Sequence, residues 1–484
     1  MVFSTVIFLA YFLPLFLVPY ILIDRKYKNY WLLLGSLFFY AWGAPVFVFV
    51  MMASVLADFI ILKFLSGREG QVRRMLFWLS VLMNLGLLLY FKYMNFFTDQ
   101  FDVMLGWFGS KPAVWTKIAL PAGISFITFQ KLAYTFDVHK KHFEPFTRLR
   151  DYALYIFMFP QILSGPIVRP GQIAAQIRDG SSGSTDDRLI GFYRFAIGLA
   201  KKVLIADVMA EQVNAIFALN SVHLSSGLAW IGAIAYTFQI YFDFSGYTDM
   251  AIGLARMMGF RLPENFNSPY VSKSITDFWK RWHMTLGSWF RDYVFLPLAY
   301  ATSRKMPKEN YLGIRADKVI YLIATSVTFF LCGFWHGAAW TFILWGVYQG
   351  LWLILDRLFL LKYLKKAGKI IPVIFTFFIT VFGWVLFRSD SLGYFYFYIR
   401  RMFSFTSASS DIWLHPKFWT ILGIAAVFSF IGGSRKTENW QNSIYDHPGN
   451  ILITGFSILA IILFILGMST VVSTGFSPFI YFRF

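Results

Sequence analysis

The sequence predicts an all-α protein that crosses the membrane many times, and three observations support this fold class. Hydrophobic residues make up 57% of the 484 residues and charged residues only 14%, whereas a soluble domain carries about 25% charged residues. The mean hydropathy is +0.57, and apolar runs long enough to span a bilayer recur along the chain. Basic residues collect in alternate loops, as expected where successive loops face opposite sides.

The N-terminal third can be oriented from these loops. Residues 2–23 are expected to form a retained helix, because no basic residue precedes them and no small-residue cleavage site follows. Basic groups at residues 25–28, 63–74 and 140–150 are separated by loops with few charges. Since basic residues favour cytoplasmic loops, we place the N-terminus outside and the loop around Lys140 in the cytoplasm.

The middle third is less regular and predicts re-entrant or amphipathic helices around a central funnel. Prolines and Gly165 interrupt an apolar stretch near residue 160, and residues 261–289 are too polar for an ordinary span. Irregular backbone at membrane depth is tolerated only where protein buries it or where it lines a watery cavity.

Ordinary spans return in the last third, and the whole chain is expected to form one integral-membrane domain, residues 1–484. Spans are predicted at about 320–335, 337–358, 370–387, 415–432 and 450–472. The predicted total is about eleven to thirteen transmembrane or re-entrant helices, with N-terminal spans in residues 1–118 and C-terminal spans in residues 351–484.

Composition also argues against several classes of function. The net charge of +19 would suggest nucleic acid for a soluble protein, but here it fits cytoplasmic loops and also suits an anionic coenzyme. We expect no nucleic-acid partner. The single cysteine, Cys332, permits neither an intrachain disulfide nor a cysteine-rich metal site, and no histidine spacing predicts a metal. No G-x-S-x-G elbow or Walker loop occurs.

Five of the seven histidines are explained without catalysis. They lie in presumed loops or at the ends of spans: His139, His142, His223, His415 and His447. The first two are expected on a solvated face among basic residues. His283 and His336 remain as candidates for chemistry.

His336 is the stronger candidate, because no charged residue occurs between residues 319 and 355. An ionisable group at membrane depth is costly and is a functional-site hypothesis by default. Gly333 and Gly337 leave one side of its helix nearly bare. That side could admit a narrow thioester arm or a closely packed second helix, and a histidine bonded between helices is the structural alternative.

His283 is predicted to lie on an amphipathic helix at a membrane interface. One apolar stripe at helical spacing contains Trp279, Trp282, His283, Leu286 and Phe290. Gly287 would leave space beside the imidazole, although such aromatic stripes also occur as simple packing.

Either histidine suits acyl transfer from a thioester to a hydroxyl. The hydroxyl proton must leave as the new bond forms, and a neutral imidazole accepts a proton near neutral pH. Burial keeps the imidazole neutral because it disfavours the charged form.

Six motifs in order extend this argument well beyond two histidines. They are residues 120–130, 159–167, 241–251, 262–270, 277–283 and 335–338, within a region covering about residues 119–350. In these motifs the chain resembles the membrane-bound O-acyltransferase (MBOAT) family and, within it, the AlgI-like branch of polysaccharide (alginate) O-acetyltransferases. One motif alone would be weak, but six in order are highly specific.

The resemblance implies a multi-helix fold pierced by a funnel, with His336 as the catalytic histidine and His283 as the second histidine of the branch. It implies no permanently bound cofactor and a donor that is acetyl-CoA or an acyl-carrier thioester. Donor contacts would come from Trp279, Lys280, Arg281 and Trp335, with Lys273 as a further candidate. Lipid headgroups are equally good ligands for the basic side chains.

The resemblance also implies a location and partners. The chain would lie in the bacterial inner membrane and pass acetyl groups to a periplasmic or extracellular SGNH-type acetyltransferase that serves polysaccharide export. Asp243, Asn265 and Asn267 are expected to make structural hydrogen bonds. Residues 299–304 depart from the branch's usual double glycine and Asn-Arg, which weakens the case for alginate as the polymer.

Two other functions stay open at this point. DltB-type transfer of D-alanine to teichoic acid would take its donor from a carrier protein, but the long extension past Trp345 fits the AlgI-like branch better. A transporter or flippase with proton-relaying histidines would move a substrate without consuming a thioester.

Overall fold

A computed structural model describes residues 1–113, 115–180, 183–220, 222–311, 313–407, 412–433, 436–437, 450–475 and 477–480, with side chains of residues 450–453 left aside. His447 therefore lies outside the described residues. The chain divides into two compact units: residues 1–192 with 251–263, and residues 193–250 with 264–484.

Helices dominate both units. The α-helices, numbered α1 to α22 in chain order, are Leu13–Leu22, Arg25–Gly43, Phe47–Ser66, Gly70–Leu88, Met94–Trp107, Ile124–His139, Leu149–Phe157, Phe159–Ile162, Pro170–Asp179, Thr185–Ala200, Asp207–Phe217, Ser226–Met257, Ile275–Phe278, Met284–Phe290, Leu296–Lys305, Ala316–His336, Trp340–Leu355, Leu361–Lys366, Ile371–Arg388, Leu392–Met402, Pro416–Phe430 and Asn450–Thr474. Short π-helical segments are Ile7–Phe12, Leu89–Tyr93, Lys201–Ala206, Arg291–Phe295 and Asp356–Leu360, and 3-10 turns are Pro269–Val271 and Ile431–Gly433.

Strand structure within the described ranges is limited to one small ribbon. β1 (Asn310–Tyr311) pairs antiparallel with β2 (Ile314–Arg315), and Asn310 lies opposite Arg315. The ribbon leads directly into α16. The all-α fold class is therefore confirmed.

Six helices of the described chain are long and apolar enough to cross a membrane: Phe47–Ser66, Gly70–Trp107, Ala316–His336, Trp340–Lys366, Ile371–Arg388 and Thr454–Thr474. Ile7–Leu22 and Pro416–Phe430 are shorter apolar helices. The polytopic character is confirmed. The predicted total of about eleven to thirteen is higher because it includes re-entrant helices. The long helix α12 is not among the six, because polar residues such as Gln239 and Asp243 make its hydropathy lower than that of an ordinary membrane span.

The first unit contains a buried carboxylate between its helices. Asp58 of α3 accepts hydrogen bonds from Asn84 of α4 (3.2 Å), from the hydroxyl of Ser80 and from the hydroxyl of Tyr152 in α7 (2.6 Å). All four residues are buried. A buried charge is costly unless hydrogen-bonded, so these donors explain how a carboxylate is retained inside an apolar unit.

In the second unit, α16 and α17 form a tight antiparallel hairpin through a pair of glycines. A Cβ built on Gly333 or on Gly346 would come within 2.9 Å of the other's Cα. Small residues permit such close approach between membrane helices. The hairpin turns at residues 337–339, immediately after His336.

Candidate active site

His336 is the last residue of α16 and is held at the turn of the hairpin. The helix ends because Gly337 is extended (φ −167°, ψ 152°), and α17 begins at Trp340. The imidazole is buried. It thus lies where the backbone leaves the helix, with the next helix packed against it.

Aromatic rings surround the His336 imidazole. Its centroid lies 4.9 Å from Trp345 and 5.3 Å from Phe387, with the rings at 88° and 81°. The adjacent Trp335 ring lies 4.9 Å away at 70°. Near-perpendicular rings at these distances place an edge against a π face. The site is therefore an apolar, aromatic enclosure around one ionisable group.

The glycines beside His336 serve helix packing. Gly333 faces Gly346 of α17, and a Cβ on Gly337 would clash with the ring of Phe342. The sequence allowed either a thioester arm or a second helix against these glycines, and the structure shows the second helix. The Gly333 side of α16 has no room for a thioester arm.

His283 lies at a break between two short helices, so the prediction of one continuous amphipathic helix is wrong. α13 ends at Phe278 and α14 begins at Met284, and His283 has a left-handed backbone (φ 44°, ψ 53°). The helix is interrupted because backbone groups on either side of His283 form hydrogen bonds with the segment 265–267 and not with their own helix. Met284 N–H donates to Asn265 O, and Asn267 N–H donates to Arg281 O, both at 2.9 Å.

Gly287 leaves room next to His283, as expected. A Cβ built on Gly287 would meet one atom outside its own helix backbone, Trp279 O at 3.4 Å, which is an ordinary contact distance. The imidazole itself is fully buried, and the Phe244 ring meets it at 4.7 Å and 88°.

The side chain of Asn265 fixes the tautomer of His283. Three groups lie within hydrogen-bonding distance of one side-chain atom of Asn265. They are the backbone N–H of Thr285 (3.2 Å), the hydroxyl of Thr285 (2.8 Å) and His283 Nδ1 (3.0 Å). Because a backbone N–H can only donate, that atom must be the amide oxygen. Nδ1 must then donate as well, which leaves Nε2 of the neutral imidazole with the lone pair.

His283 is neutral at physiological pH. It lies outside the six spanning helices, and burial lowers the pKa of its imidazole to about 3 because a buried cation loses its hydration. A general base must be unprotonated to act, and this imidazole meets that requirement.

Trp335 contacts both histidines. Its ring lies 6.5 Å from His283 and 4.9 Å from His336, measured between ring centroids. Two residues more than fifty positions apart in the chain are thus brought to the same indole. The sequence predicted both histidines and Trp335 as site residues, and the structure brings these three together.

The other residues predicted to contact the donor are placed differently. Trp279 donates from its indole to Gln349 (3.3 Å), and its ring lies 5.9 Å from Trp345. Arg281 pairs with Asp277 at 3.1 Å, while Lys280 and Lys273 are exposed. Donor contact by these four stays a prediction.

The three polar residues expected to be structural do make hydrogen bonds. Asp243 pairs with Lys202 at 2.7 Å and accepts the N–H of Ile480 at 2.8 Å. Asn267 bonds Arg281 through its backbone. Asn265 differs from the others because its partner is a candidate catalytic residue.

The remaining described histidines take no part in these contacts. His142, His223 and His415 are exposed, and His415 Nδ1 accepts the N–H of Lys417. His139 departs from the expected solvated face, because its half-buried ring stacks on Phe77 at 4.1 Å and 25°.

The sequence did not predict the rings that enclose the site. Trp345 and Phe387 flank His336, and Trp384 links Trp345 (5.9 Å) to Trp282 (4.7 Å). Trp384 and Phe387 are three positions apart on α19, so they share a helix face. This spacing in the sequence could have predicted that the two rings lie on one face of a helix. It does not indicate which other helix that face packs against.

Comparison with known proteins identifies the class. Residues 122–396 match the model of the MBOAT, membrane-bound O-acyltransferase family, and this region contains both histidines and all the rings around them. The match covers more than half of the chain, so the chain belongs to this family and is a membrane-embedded acyltransferase.

Individual relatives support the AlgI-like branch. The chain is 38% identical to the probable alginate O-acetylase AlgI of Pseudomonas aeruginosa over 84% of this chain and 75% of the relative. It is 34% identical to the peptidoglycan O-acetyltransferase of Helicobacter pylori over 81% and 78%. It is 30% identical to the teichoic acid D-alanyltransferase of Bacillus subtilis over 55% and 68%.

Proposed function

We propose that this enzyme takes acetyl groups from a cytosolic thioester, acetyl-CoA, and transfers them across the inner membrane for O-acetylation of an exported polysaccharide. The acceptor is a hydroxyl on the outer side, on a periplasmic or extracellular SGNH-type partner that completes the transfer to the polymer. The relatives that match most of the chain are named as O-acetylating enzymes.

The observation that carries the proposal is the pair of buried histidines in contact with Trp335. His336 accepts the proton of the acceptor hydroxyl as its oxygen attacks the thioester carbonyl. The carbon–sulfur bond breaks, and the leaving thiolate takes a proton from the imidazolium. Aromatic rings packed around an imidazolium can stabilise the transient cation, and the centroids of Trp345 and Phe387 lie 4.9 and 5.3 Å from that of His336.

Transfer of D-alanine is the second candidate, since a teichoic acid D-alanyltransferase is among the relatives. Its match covers 55% of this chain, against 84% for the alginate O-acetylase. Acetyl transfer is therefore the better-supported proposal.

The test compares His336→Ala and His336→Gln with the exposed His142→Ala. O-acetyl content of the exported polysaccharide and the amount of enzyme in membranes are measured in each strain. A general base contributes about 10²- to 10⁴-fold to rate, so both His336 variants should lose acetylation at normal abundance, while His142→Ala retains it.

Persistent acetylation in the His336 variants would show that the proposed role of this residue is wrong. A thioester assay on the purified enzyme with its partner separates the alternatives. Release of free CoA from acetyl-CoA supports acetyl transfer, turnover only with a D-alanyl carrier protein supports the second candidate, and substrate movement without thioester loss indicates a transporter.

A further inference from the structure

A dense group of basic side chains lies at the end of the α16–α17 hairpin opposite His336. Residues 304–318 and 357–369, here called the basic collar, contain ten Lys or Arg against two acidic residues, a net charge of +8. The two segments meet in space, because Arg357 lies 3.8 Å from Asp317 and its guanidinium lies 5.8 Å from the Tyr321 ring.

Few ion pairs to described residues neutralise this charge. In the described part of the chain, the ion pairs of the collar are those of Arg315 and Arg357, and both use the carboxylate of Asp317. Lys362, Lys365 and Lys366 are exposed and form no ion pair among the described residues. The collar is therefore a site of uncompensated positive charge.

Exposed apolar side chains alternate with these lysines. Phe359 is 48% exposed and Tyr363 is 62% exposed, and their rings lie 6.4 Å apart. Helices that combine basic side chains with exposed aromatic residues lie in the interfacial layer of a bilayer. A surface built only to bind a soluble anion has no use for exposed rings.

We propose that the basic collar binds the phosphate headgroups of anionic phospholipids, with Phe359 and Tyr363 inserted at the boundary of the acyl chains. Lysine and arginine near a membrane surface attract anionic lipids, and the collar adjoins the membrane ends of α16 and α17. The bound lipids would hold the hairpin at a fixed depth, and with it His336 at the other end.

The same phosphate chemistry occurs in the acyl donor, but the distance argues against it. Lys318 and His336 are 18 residues apart on one helix, which is about 27 Å along its axis. An extended pantetheine arm of a dozen bonds spans on the order of 16 Å at ordinary bond lengths. If the donor's phosphate were bound at the collar, its thioester would therefore not reach His336. This comparison rests on the proposed function, in which His336 acts on the thioester.

The test measures lipid retention by the full-length enzyme in native mass spectrometry. Lys362→Gln/Lys365→Gln/Lys366→Gln should weaken retention of phosphatidylglycerol about tenfold or more and leave retention of phosphatidylcholine unchanged. The control is Lys26→Gln/Lys140→Gln/Lys141→Gln, which removes three exposed lysines elsewhere, one at the start of α2 and two just after α6, and should retain the lipid. Phe359→Ser/Tyr363→Ser should weaken retention of both lipids.

The outcomes separate the sources of the phosphate. Equal loss of phosphatidylglycerol in both lysine triples would overturn the proposal, because net charge rather than the collar would then control binding. Binding of acetyl-CoA or of an acidic carrier protein that is abolished in the collar variant alone would also overturn it. Lipid retention does not require acetyl transfer, so a failure here is distinct from a failure of the proposed function.

Discussion

Asn265 and His283 are joined by a hydrogen bond of 3.0 Å in which the imidazole donates from Nδ1. The bond leaves the Nε2 lone pair as the basic position, and the two bonds from Thr285 hold the Asn265 oxygen in place. Asn265 is therefore a positioning residue that acts through His283.

Asn265→Asp should change the pH dependence of acetyl transfer. A carboxylate accepts the same three hydrogen bonds, but its charge favours the imidazolium and raises the pKa of His283. The variant should then lose activity as pH falls through the raised pKa, while His283 of the wild type stays unprotonated down to about pH 3. Rates between about pH 5 and 8 provide the measurement. Superimposable profiles would mean that the reaction does not depend on the protonation state of His283.

Trp335→Ala should lower activity more than Trp335→Phe. Removing an indole from a packed site costs about 3–5 kcal/mol and frees both imidazoles to move, whereas phenylalanine keeps a ring between them. The measurements are the rate of acetyl transfer and the midpoint of thermal unfolding. Trp78→Ala removes an exposed indole and should change neither; equal activity of the two Trp335 variants would contradict the positioning role.

Gly346→Ala should destabilise the α16–α17 hairpin. The new methyl group would overlap the backbone of α16, and overpacking of this kind costs about 1–3 kcal/mol. Thermal unfolding in detergent should show a lower midpoint. Gly86→Ala is the control, because nothing lies within 4 Å of its Cβ position. A normal midpoint for Gly346→Ala would show that the helices separate at little cost.

Asp58→Ala should destabilise the first unit more than Tyr152→Phe. The alanine removes an acceptor from Ser80, Asn84 and Tyr152 at once, and only Ser80 and Asn84 keep other bonds, to Thr135 and to Ser80 O. The phenylalanine leaves the two bonds to Asp58 Oδ1 in place and unpairs only Oδ2, at about 1–3 kcal/mol for one buried group. Unfolding midpoints of the two variants test the order, and the reverse order would exclude Asp58 as the centre of the network.

Long apolar helices could be predicted closely from the sequence. The spans expected at 320–335 and 370–387 are Ala316–His336 and Ile371–Arg388 in the structure, because hydropathy over about 20 residues determines membrane insertion. His336 was predicted for the same reason, since its long uncharged surroundings mark a single ionisable group.

The break at His283 could not be predicted in this way. Helical spacing over residues 279–290 is a local signal, whereas the backbone bonds that end the helix join Met284 to Asn265 and Arg281 to Asn267, in an earlier segment of the chain. The enclosure of His336 has the same character, because Phe387 lies in a different helix. Tertiary contacts of this kind produce no periodic pattern of residues in the sequence, so they cannot be predicted from spacing.

The rings around His336 also set an order of events during synthesis. Phe387 leaves the ribosome 51 residues after His336 (387 minus 336), an interval of roughly 3–10 s at typical elongation rates. Until α19 has entered the membrane, the imidazole lacks one wall of its enclosure. Assembly of the candidate active site is thus a late step in biogenesis, and a nascent chain halted before residue 371 would contain the histidine without its environment.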